Sequence, residues 1–263
     1  MSTMRACGPA RLIIARSTAL SIHNPLVITI EPEDSPRRRR AVEEAAAHGL
    51  TPEFVMSIPK DDPRIAEIHD VKMNRRWRKH MMTPAEVSCY SGHRIAWKQI
   101  VEGNAPYRLI LEDDFEIVSP DALHRLERLA AELGNWDIIM LYRFKPRGRY
   151  RVIATDGFEL RDYQYGPTST VGYLISHSGA QKILARKKIF RPIDEDFINP
   201  WELGLRVLAV SPDIVREYDR SASNIEQERS GRRRNLWMSL RDIFLKARWQ
   251  MLSRFHWRHR NRS

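Results

Sequence analysis

Six short apolar runs recur along the chain, and each is rich in Val, Ile, Leu or aromatic residues. Runs of this length and composition are typical of buried β-strands. The strands that they predict cover residues 26–30, 53–58, 107–111, 136–141, 172–176 and 206–210.

Helix signals lie between these runs. Ser35 suits an N-cap, Pro36 the first helical position and Gly49 a C-terminal stop, which together predict a helix after the first strand. Thr83 and Glu86 have capping-box spacing and predict a second helix that ends near residue 103. Further helices are predicted over 121–133, over 178–186 and after 192–197. We expect a long loop with one short helix over 59–82 and irregular hairpins over 143–170. Strands that alternate with helices favour an α/β fold with parallel strands.

The chain length of 263 residues is near the upper end of what one hydrophobic core organises. We therefore predict one catalytic domain over residues 25–228. Residues 1–24 are interpreted as a poorly ordered N-terminal extension, and residues 229–263 as a basic amphipathic tail.

The net charge of +11 is concentrated in that tail, where eleven basic residues stand against one acid. Apolar residues recur there at helical spacing, with tryptophans around them: Leu236, Leu240, Ile243, Phe244, Ala247, Met251 and Phe255, beside Trp237, Trp249 and Trp257. This composition is typical of a helix that lies on an anionic membrane surface. Two alternatives remain: a helix docked on the domain or on a second copy, and a nucleic-acid-binding segment. We expect no specific nucleic acid.

Two cysteines, Cys7 and Cys89, lack metal-ligand neighbours in sequence, so neither a disulfide framework nor a zinc ribbon is predicted. Arg16 interrupts the N-terminal apolar run before it resembles a signal core, and no run reaches the length of a membrane span. These observations predict a cytoplasmic protein, peripheral on the inner face of the cytoplasmic membrane.

Glu112, Asp113 and Asp114 follow the apolar run 107–111 directly. Because side chains alternate along a strand, Glu112 and Asp114 are predicted to point to one side and Asp113 to the other. Oxygen ligands of this kind suit Mg²⁺ or Mn²⁺, which can neutralise a departing diphosphate. The alternative is a solvated strand terminus without a ligand.

Several segments in the same order resemble glycosyltransferase family 25, which includes bacterial lipopolysaccharide-type and collagen galactosyltransferases. The resemblance extends over roughly residues 26–225. Its segments are 26–31 with the arginines after Pro36, 82–89 with His93, 109–114, 136–138, 172–176 with Gly179 and Ala180, 192–194 and 211–212.

The resemblance implies a GT-A-like single domain with a mixed, mainly parallel central sheet flanked by helices. It also implies a UDP-sugar donor, inversion at the sugar carbon, and the acidic triplet in the role of a DXD motif. The chain departs from the family at Thr29, where Asn is usual, at Ala85, where Gly is usual, and at Gly92, where Ser is usual. These departures bear on the nucleotide pocket more than on the fold.

Candidate residues for the nucleotide side are Thr29, Glu31, Arg37, Arg38, His93 and Asp113, with Glu112 and Asp114 as metal ligands. Arginines at a helix start oppose the helix dipole, and a phosphate would relieve that conflict. The alternatives are a solvated helix start for the arginines and a buried, satisfied histidine for His93. Tyr173 and Trp136 are interpreted as core aromatics rather than sugar platforms.

An inverting transfer needs a base on the acceptor side. Asp194 and Glu195, in the cluster with Asp196, are the candidates because adjacent acids raise one another's pKa. Asp194 ranks first through the family's Pro-x-Asp motif, although helix capping would also favour acids here. The predicted function is transfer of a hexose, with galactose as the first candidate, from a UDP-sugar to a lipopolysaccharide or other surface glycan. The rivals are a two-carboxylate glycoside hydrolase and a nucleic-acid-binding protein.

Overall fold

The computed structural model describes residues 22–78, 80–144, 146–218 and 236–260. The predicted extension over residues 1–24 lies almost wholly outside them. The strands are β1 (Leu26–Thr29), β2 (Glu53–Met56), β3 (Tyr107–Glu112), β4 (Phe115–Ile117), β5 (Ile138–Met140), β6 (Arg147–Thr155), β7 (Glu159–Tyr165), β8 (Gly172–Ser176), β9 (Val207–Ser211) and β10 (Val215–Glu217). The helices are α1 (Pro36–Ala47), α2 (Arg64–Ile68), α3 (Val71–Trp77), α4 (Pro84–Glu102), α5 (Pro120–Glu132), α6 (His177–Leu184), α7 (Ile193–Phe197) and α8 (Leu236–Arg260), with a 3₁₀ turn at Pro200–Glu202.

The central sheet is mixed. Its strand order is β2-β1-β3-β8-β5-β9-β7-β6. β1 pairs in parallel with β2 and β3, and β5 pairs in parallel with β9, whereas β8 and β7 run antiparallel to their neighbours. Six of the eight strands therefore share one direction. The predicted α/β class, with a mixed and mainly parallel sheet flanked by helices, is confirmed.

Apolar side chains fill both faces of this sheet. On one face, Ala41 and Ala45 of α1 and Leu123 and Leu126 of α5 pack against β1, β3 and β5. On the other face, Tyr90 and Trp97 of α4 pack against Ile110, Tyr173 and α6. The sheet is thus the middle layer of three. The ends of its strands lie at the edge of the sheet, between the two helical layers.

The two helices with clear capping signals in the sequence form where the sequence predicts them. Ser35 Oγ accepts from the Arg38 amide at the start of α1. At the start of α4, Thr83 Oγ1 accepts from the Glu86 amide, and the Glu86 carboxylate accepts from the Thr83 amide. These reciprocal hydrogen bonds are the capping box that the spacing predicts.

Three local predictions differ from the structure. The segment 59–82 holds two short helices, α2 and α3, rather than one. A two-stranded ribbon of β4 and β10 was not predicted, because each of its strands has only three residues. The acidic cluster of residues 194–196 lies within the short helix α7 rather than before a helix.

One face of α8 is docked on the domain. Trp249 stacks on Tyr165 at 4.9 Å between ring centroids, and its Nε1–H donates to the Ile198 carbonyl. His256 stacks on Trp201 at 5.5 Å. Trp249 is therefore packed against the domain, whereas the sequence pattern predicts a position at a lipid headgroup boundary for it. Among the described residues, no helix is long and apolar enough to cross a bilayer.

Candidate active site

The site lies at the carboxyl ends of β1 and β3. These parallel neighbours are in register so that Ile28 lies opposite Glu112. The next residues along each strand, Thr29 and Asp113, consequently meet, and Thr29 Oγ1 donates to Asp113 Oδ2 at 2.5 Å. Thr29 Oγ1 also accepts from the Glu31 amide at 3.0 Å. The family's usual Asn is thus replaced by a hydroxyl that fixes one acid of the triplet.

Arg37 binds two acids of the triplet. Its Nε donates to Asp113 Oδ1 at 2.5 Å, and its Nη2 donates to Asp114 Oδ2 at 2.9 Å. Burial disfavours the charged guanidinium and works to lower its pKa. The negative charges of Asp113 and Asp114 outweigh this effect, so the pKa of Arg37 is raised. The start of α1 therefore supplies a permanent cation at the acidic strand end.

The predicted alternation of the triplet is wrong. Asp113 and Asp114 share Arg37, whereas Glu112 points toward His93 of α4. The reason is that β3 ends at Glu112, and the chain turns through Asp113 and Asp114 before β4 begins. Strand alternation does not continue through a turn.

Asp114 has an incompletely satisfied carboxylate. Its Oδ1 atom is buried and makes no hydrogen bond within the described residues. Burial, followed by the nearby charge of Glu112, raises the pKa of Asp114 to about 7 even though Arg37 opposes this shift. A buried acceptor without a partner is costly, and a divalent cation is the kind of ligand that satisfies it. The residues present therefore fit a metal ion.

Glu112 is held through one of its two oxygens. Thr170 Oγ1 donates to Glu112 Oε1, and His93 Nε2 lies 3.5 Å from the same oxygen. Burial works to raise the pKa of Glu112, but the contacts with His93 and Thr170 and the charge of Arg37 lower it. About a quarter of the Glu112 side chain is exposed (23 %).

Cys89, His93 and Glu112 form a second group with metal-ligand chemistry. One ligand atom from each lies within 4.8 Å of the others. Burial, followed by the charges of Glu112 and Asp194, raises the pKa of the Cys89 thiol well above its ordinary value.

The three acids of α7 have different surroundings. Asp196 is fully buried and accepts from Arg191 Nε at 2.6 Å and from the Tyr90 hydroxyl at 2.5 Å. Glu195 pairs with Arg78 at 2.7 Å, but burial outweighs this pairing and raises the pKa of Glu195 to about 7. Asp194 Oδ1 accepts from the Glu195 amide. Asp196 is thus a core ion-pair residue, and the two predicted acids remain nearer the surface.

Two predicted nucleotide-side residues lie apart from the triplet's contacts. Arg38 stacks over the Phe54 ring at 4.2 Å, toward β2. Glu31 is joined to the site through its backbone amide. His93, Tyr173 and Trp136 are buried, as the core interpretation expects.

Sequence reasoning missed two residues at the site. Thr170 precedes β8 and holds Glu112. Glu217 of β10 is brought beside the triplet by its pairing with Phe115, and its charge contributes to the raised pKa of Asp114. Neither residue has a local motif, because both reach the site through strand pairing across the fold.

The family model for glycosyltransferase family 25, described as an LPS biosynthesis protein, matches residues 23–198. The matched residues are two thirds of the chain, so the chain belongs to glycosyltransferase family 25. The match includes β1, α4, the acidic triplet and α7.

Curated relatives carry both active and inactive names. A glycosyltransferase 25 family member of Aedes aegypti is 31 % identical over 126 residues, which is 45 % of this chain and 20 % of that protein. Procollagen galactosyltransferase 1 of Danio rerio is 30 % identical, over 43 % of this chain and 20 % of its own length. Inactive glycosyltransferase 25 family member 3 of Homo sapiens is 33 % identical over the same shares. The chain spans about a fifth of the length of these relatives.

Solved structures with related shapes are distant. A Drosophila galactosyltransferase in complex with manganese, UDP-Gal and xylobiose has a TM-score of 0.40 and 8 % identity, over 84 % of this chain and 79 % of that one. A glycosyltransferase involved in glycosylation of the PBCV-1 major capsid has a TM-score of 0.41 and 10 % identity, over 85 % and 98 %. Overlaps at this level leave the ligands of this chain undecided.

Proposed function

We propose that this protein transfers a hexose, with galactose as the first candidate, from a UDP-sugar to a saccharide acceptor, with inversion at the sugar carbon. The observation that carries the proposal is the buried, unpaired Oδ1 of Asp114 beside Glu112 and Arg37. Membership of family 25 and the galactosyltransferase names among its relatives support the reaction class.

The donor side is assigned to the ends of β1 and β3. Glu112 and Asp114 would hold Mn²⁺ or Mg²⁺, and such an ion neutralises the charge that develops on a departing diphosphate. Arg37 provides a second cation, paired with Asp113 and Asp114. Thr29 fixes Asp113 at the position proposed for the nucleotide.

The acceptor side is assigned to α7 and the cleft next to it. Asp194 is the proposed base for the acceptor hydroxyl, and Glu195 is the alternative because its pKa of about 7 suits proton transfer near neutral pH. Glu195 lines a cavity of about 600 Å³ together with Trp77, Trp201 and Trp249. Aromatic rings with polar neighbours suit the mixed surface of a sugar.

The acceptor that we propose is a lipopolysaccharide or another lipid-linked glycan at an anionic membrane surface. Ile243, Phe244, Met251 and Phe255 of α8 are exposed on the face turned away from the domain. Exposed Arg254 and Arg258 lie on the same helix. An apolar stripe with flanking cations complements anionic headgroups, so this helix would confine the enzyme to the surface that carries its acceptor.

A donor screen tests the proposal. Thermal unfolding is measured with UDP-galactose, UDP-glucose and UDP-N-acetylglucosamine, each with Mn²⁺ and with a chelator. A ligand present at about 100 times its Kd stabilises the native state by about 2.7 kcal/mol, so a true donor raises Tm clearly. Metal-dependent stabilisation by one donor, followed by sugar transfer, supports the proposal. Hydrolysis of a glycoside that persists with chelator would favour the hydrolase alternative instead.

A further inference from the structure

Three buried side chains behind Glu112 form a continuous hydrogen-bonded chain. Trp97 and His93 lie one helical turn apart on α4, and Tyr173 lies on β8. The Trp97 Nε1–H donates to the Tyr173 hydroxyl oxygen at 3.0 Å, and that oxygen is 2.9 Å from His93 Nδ1. All three side chains are fully buried, so water does not compete for these contacts.

The chain has a defined direction because an indole N–H can only donate and a phenol has one proton. Tyr173 accepts from Trp97, so its own proton is directed to its other partner, His93 Nδ1. Burial raises the pKa of Tyr173 well above its ordinary value, which keeps that proton in place. In the neutral imidazole, His93 Nδ1 is then the acceptor and the single ring proton resides on Nε2, which faces Glu112 Oε1 at 3.5 Å.

We infer that Trp97, Tyr173 and His93 form a positioning relay that orients the carboxylate of Glu112 toward the donor. The Thr170 hydroxyl donates to Oε1 of Glu112, and His93 Nε2 faces the same oxygen at 3.5 Å, an electrostatic contact longer than a hydrogen bond. The other oxygen, Oε2, is therefore the one directed to a ligand. The positioning role of this relay rests on the proposed function. The assignment of the His93 tautomer does not depend on it.

The same geometry opposes a thiophilic metal centre at Cys89, His93 and Glu112, despite the short distances among their ligand atoms. A metal ion on His93 would need the Nε2 lone pair and would move the ring proton to Nδ1. The Tyr173 hydroxyl would then face two donors, and its own proton would lose its acceptor in a buried site. A buried hydroxyl proton without an acceptor is unfavourable, so this arrangement is disfavoured.

The tautomer is measured directly by long-range ¹H–¹⁵N NMR on protein with ¹⁵N-labelled histidine. The His93 signals are identified by their absence in His93→Gln. We expect Nε2 to carry the proton in the wild type, and Tyr173→Phe to lose this single-tautomer signature. A proton on Nδ1 in the wild type overturns the inference. Zn²⁺ that moves the His93 proton to Nδ1 also overturns it, and unchanged signals with Zn²⁺ support it.

The positioning role is measured as the Kd of UDP in the presence of Mn²⁺. We expect Tyr173→Phe to weaken UDP binding about tenfold, the scale seen when an orienting partner of a metal ligand is lost. Tyr107→Phe is the matched control, because it removes a buried tyrosine hydroxyl from β3 at the end opposite the site. A general loss of stability would appear in the Tm of both variants, but only Tyr173→Phe should change UDP affinity.

The outcomes separate the two proposals. If Tyr173→Phe alters the His93 signature while UDP affinity stays at the wild-type value, the relay does not position Glu112. If the wild type binds no UDP with any divalent metal, the proposed function fails and the positioning role fails with it. The NMR result then still decides which nitrogen of His93 carries the proton.

Discussion

At the scale of single residues, Asp114 combines burial, an unpaired oxygen and a raised pKa. Asp114→Asn removes one ligand charge but keeps the shape of the side chain. We expect transfer to fall by at least about 100-fold, because the proposed metal loses a ligand that stabilises the departing diphosphate. Tm should stay at or above the wild-type value, since the variant no longer buries a carboxylate among other acids. Transfer from UDP-galactose and thermal unfolding are the measurements.

Glu116→Gln is the matched control for that substitution. Glu116 lies two residues beyond Asp114 and pairs with Arg216 at the surface, at 2.6 Å. Exposed pairs of this kind contribute little to stability. We expect Glu116→Gln to transfer at the wild-type rate. If Asp114→Asn is also fully active, Asp114 is not a ligand of the proposed metal.

Asp194 and Asp196 are two positions apart but are expected to respond in different ways. Asp194→Asn should depress turnover far more than it weakens UDP binding, because its proposed role is on the acceptor side. The measurements are the transfer rate beside the Kd of UDP. A loss of UDP affinity in proportion to the loss of transfer would place Asp194 in the donor pocket instead.

Asp196→Asn should act on stability. The buried carboxylate pairs with Arg191 and accepts from Tyr90, so its loss leaves the buried Arg191 guanidinium with Glu202 as its remaining acidic partner. We expect the free energy of unfolding to fall by about 3–5 kcal/mol, as for other broken buried pairs. Denaturant unfolding measures this. Wild-type stability in Asp196→Asn would show that Arg191 and Glu202 alone satisfy this network.

At the scale of elements, α4 approaches the sheet closely at Gly92. A Cβ atom at this position would lie 2.1 Å from Ser57 Oγ and 2.6 Å from Ile28 Cγ2. The serine that is usual in the family does not fit here while Ser57 and Ile28 keep their places. This departure from the family is therefore a packing adjustment between α4 and the ends of β1 and β2.

Gly92→Ala tests that contact. We expect it to lower the free energy of unfolding by about 1–3 kcal/mol through overpacking. Gly134→Ala is the control, because a Cβ there meets no atom within 4 Å. The two variants are compared by denaturant unfolding, and equal stabilities would mean that α4 shifts without cost.

Sequence patterns predicted elements whose signals are local. The capping box at Thr83, the Ser35–Pro36 helix start and the apolar strand runs all depend on neighbours within a few residues. Thr170, Glu217 and the shared Arg37 contact depend on strand pairing and on a turn that no local pattern reveals. The candidate site was thus predicted as a set of acids at a strand end, but its partners and orientations were not.

At the scale of the whole molecule, α8 has one face docked on the domain and one exposed face. Trp249 docks on Tyr165, whereas Phe244 and Met251 are exposed. Removing the whole tail would uncover the docking surface, so point variants are the sharper test of membrane binding. The double variant Phe244→Glu with Met251→Glu should abolish sedimentation with anionic liposomes and leave Tm unchanged, because it introduces acids only on the exposed face.

Trp249→Ala is the counterpart on the docked face. It should lower Tm, because it removes the stacking on Tyr165 and the hydrogen bond to Ile198. If the double glutamate variant still sediments with anionic liposomes, the exposed stripe is not a membrane contact. Salt-sensitive binding to RNA by the wild type would instead favour the nucleic-acid alternative.

The position of β8 affects how the chain can fold during synthesis. β8 lies in the middle of the sheet between β3 and β5, although residues 172–176 are far from β3 in sequence. A nascent chain that ends before residue 172 leaves open edges on both β3 and β5, and unpaired edges of apolar strands promote aggregation. The acidic triplet is synthesised early, but its Thr170 contact can form only when β8 closes the sheet. The Thr170 contact with Glu112 and the covering of the β3 edge therefore depend on the same late-synthesised segment.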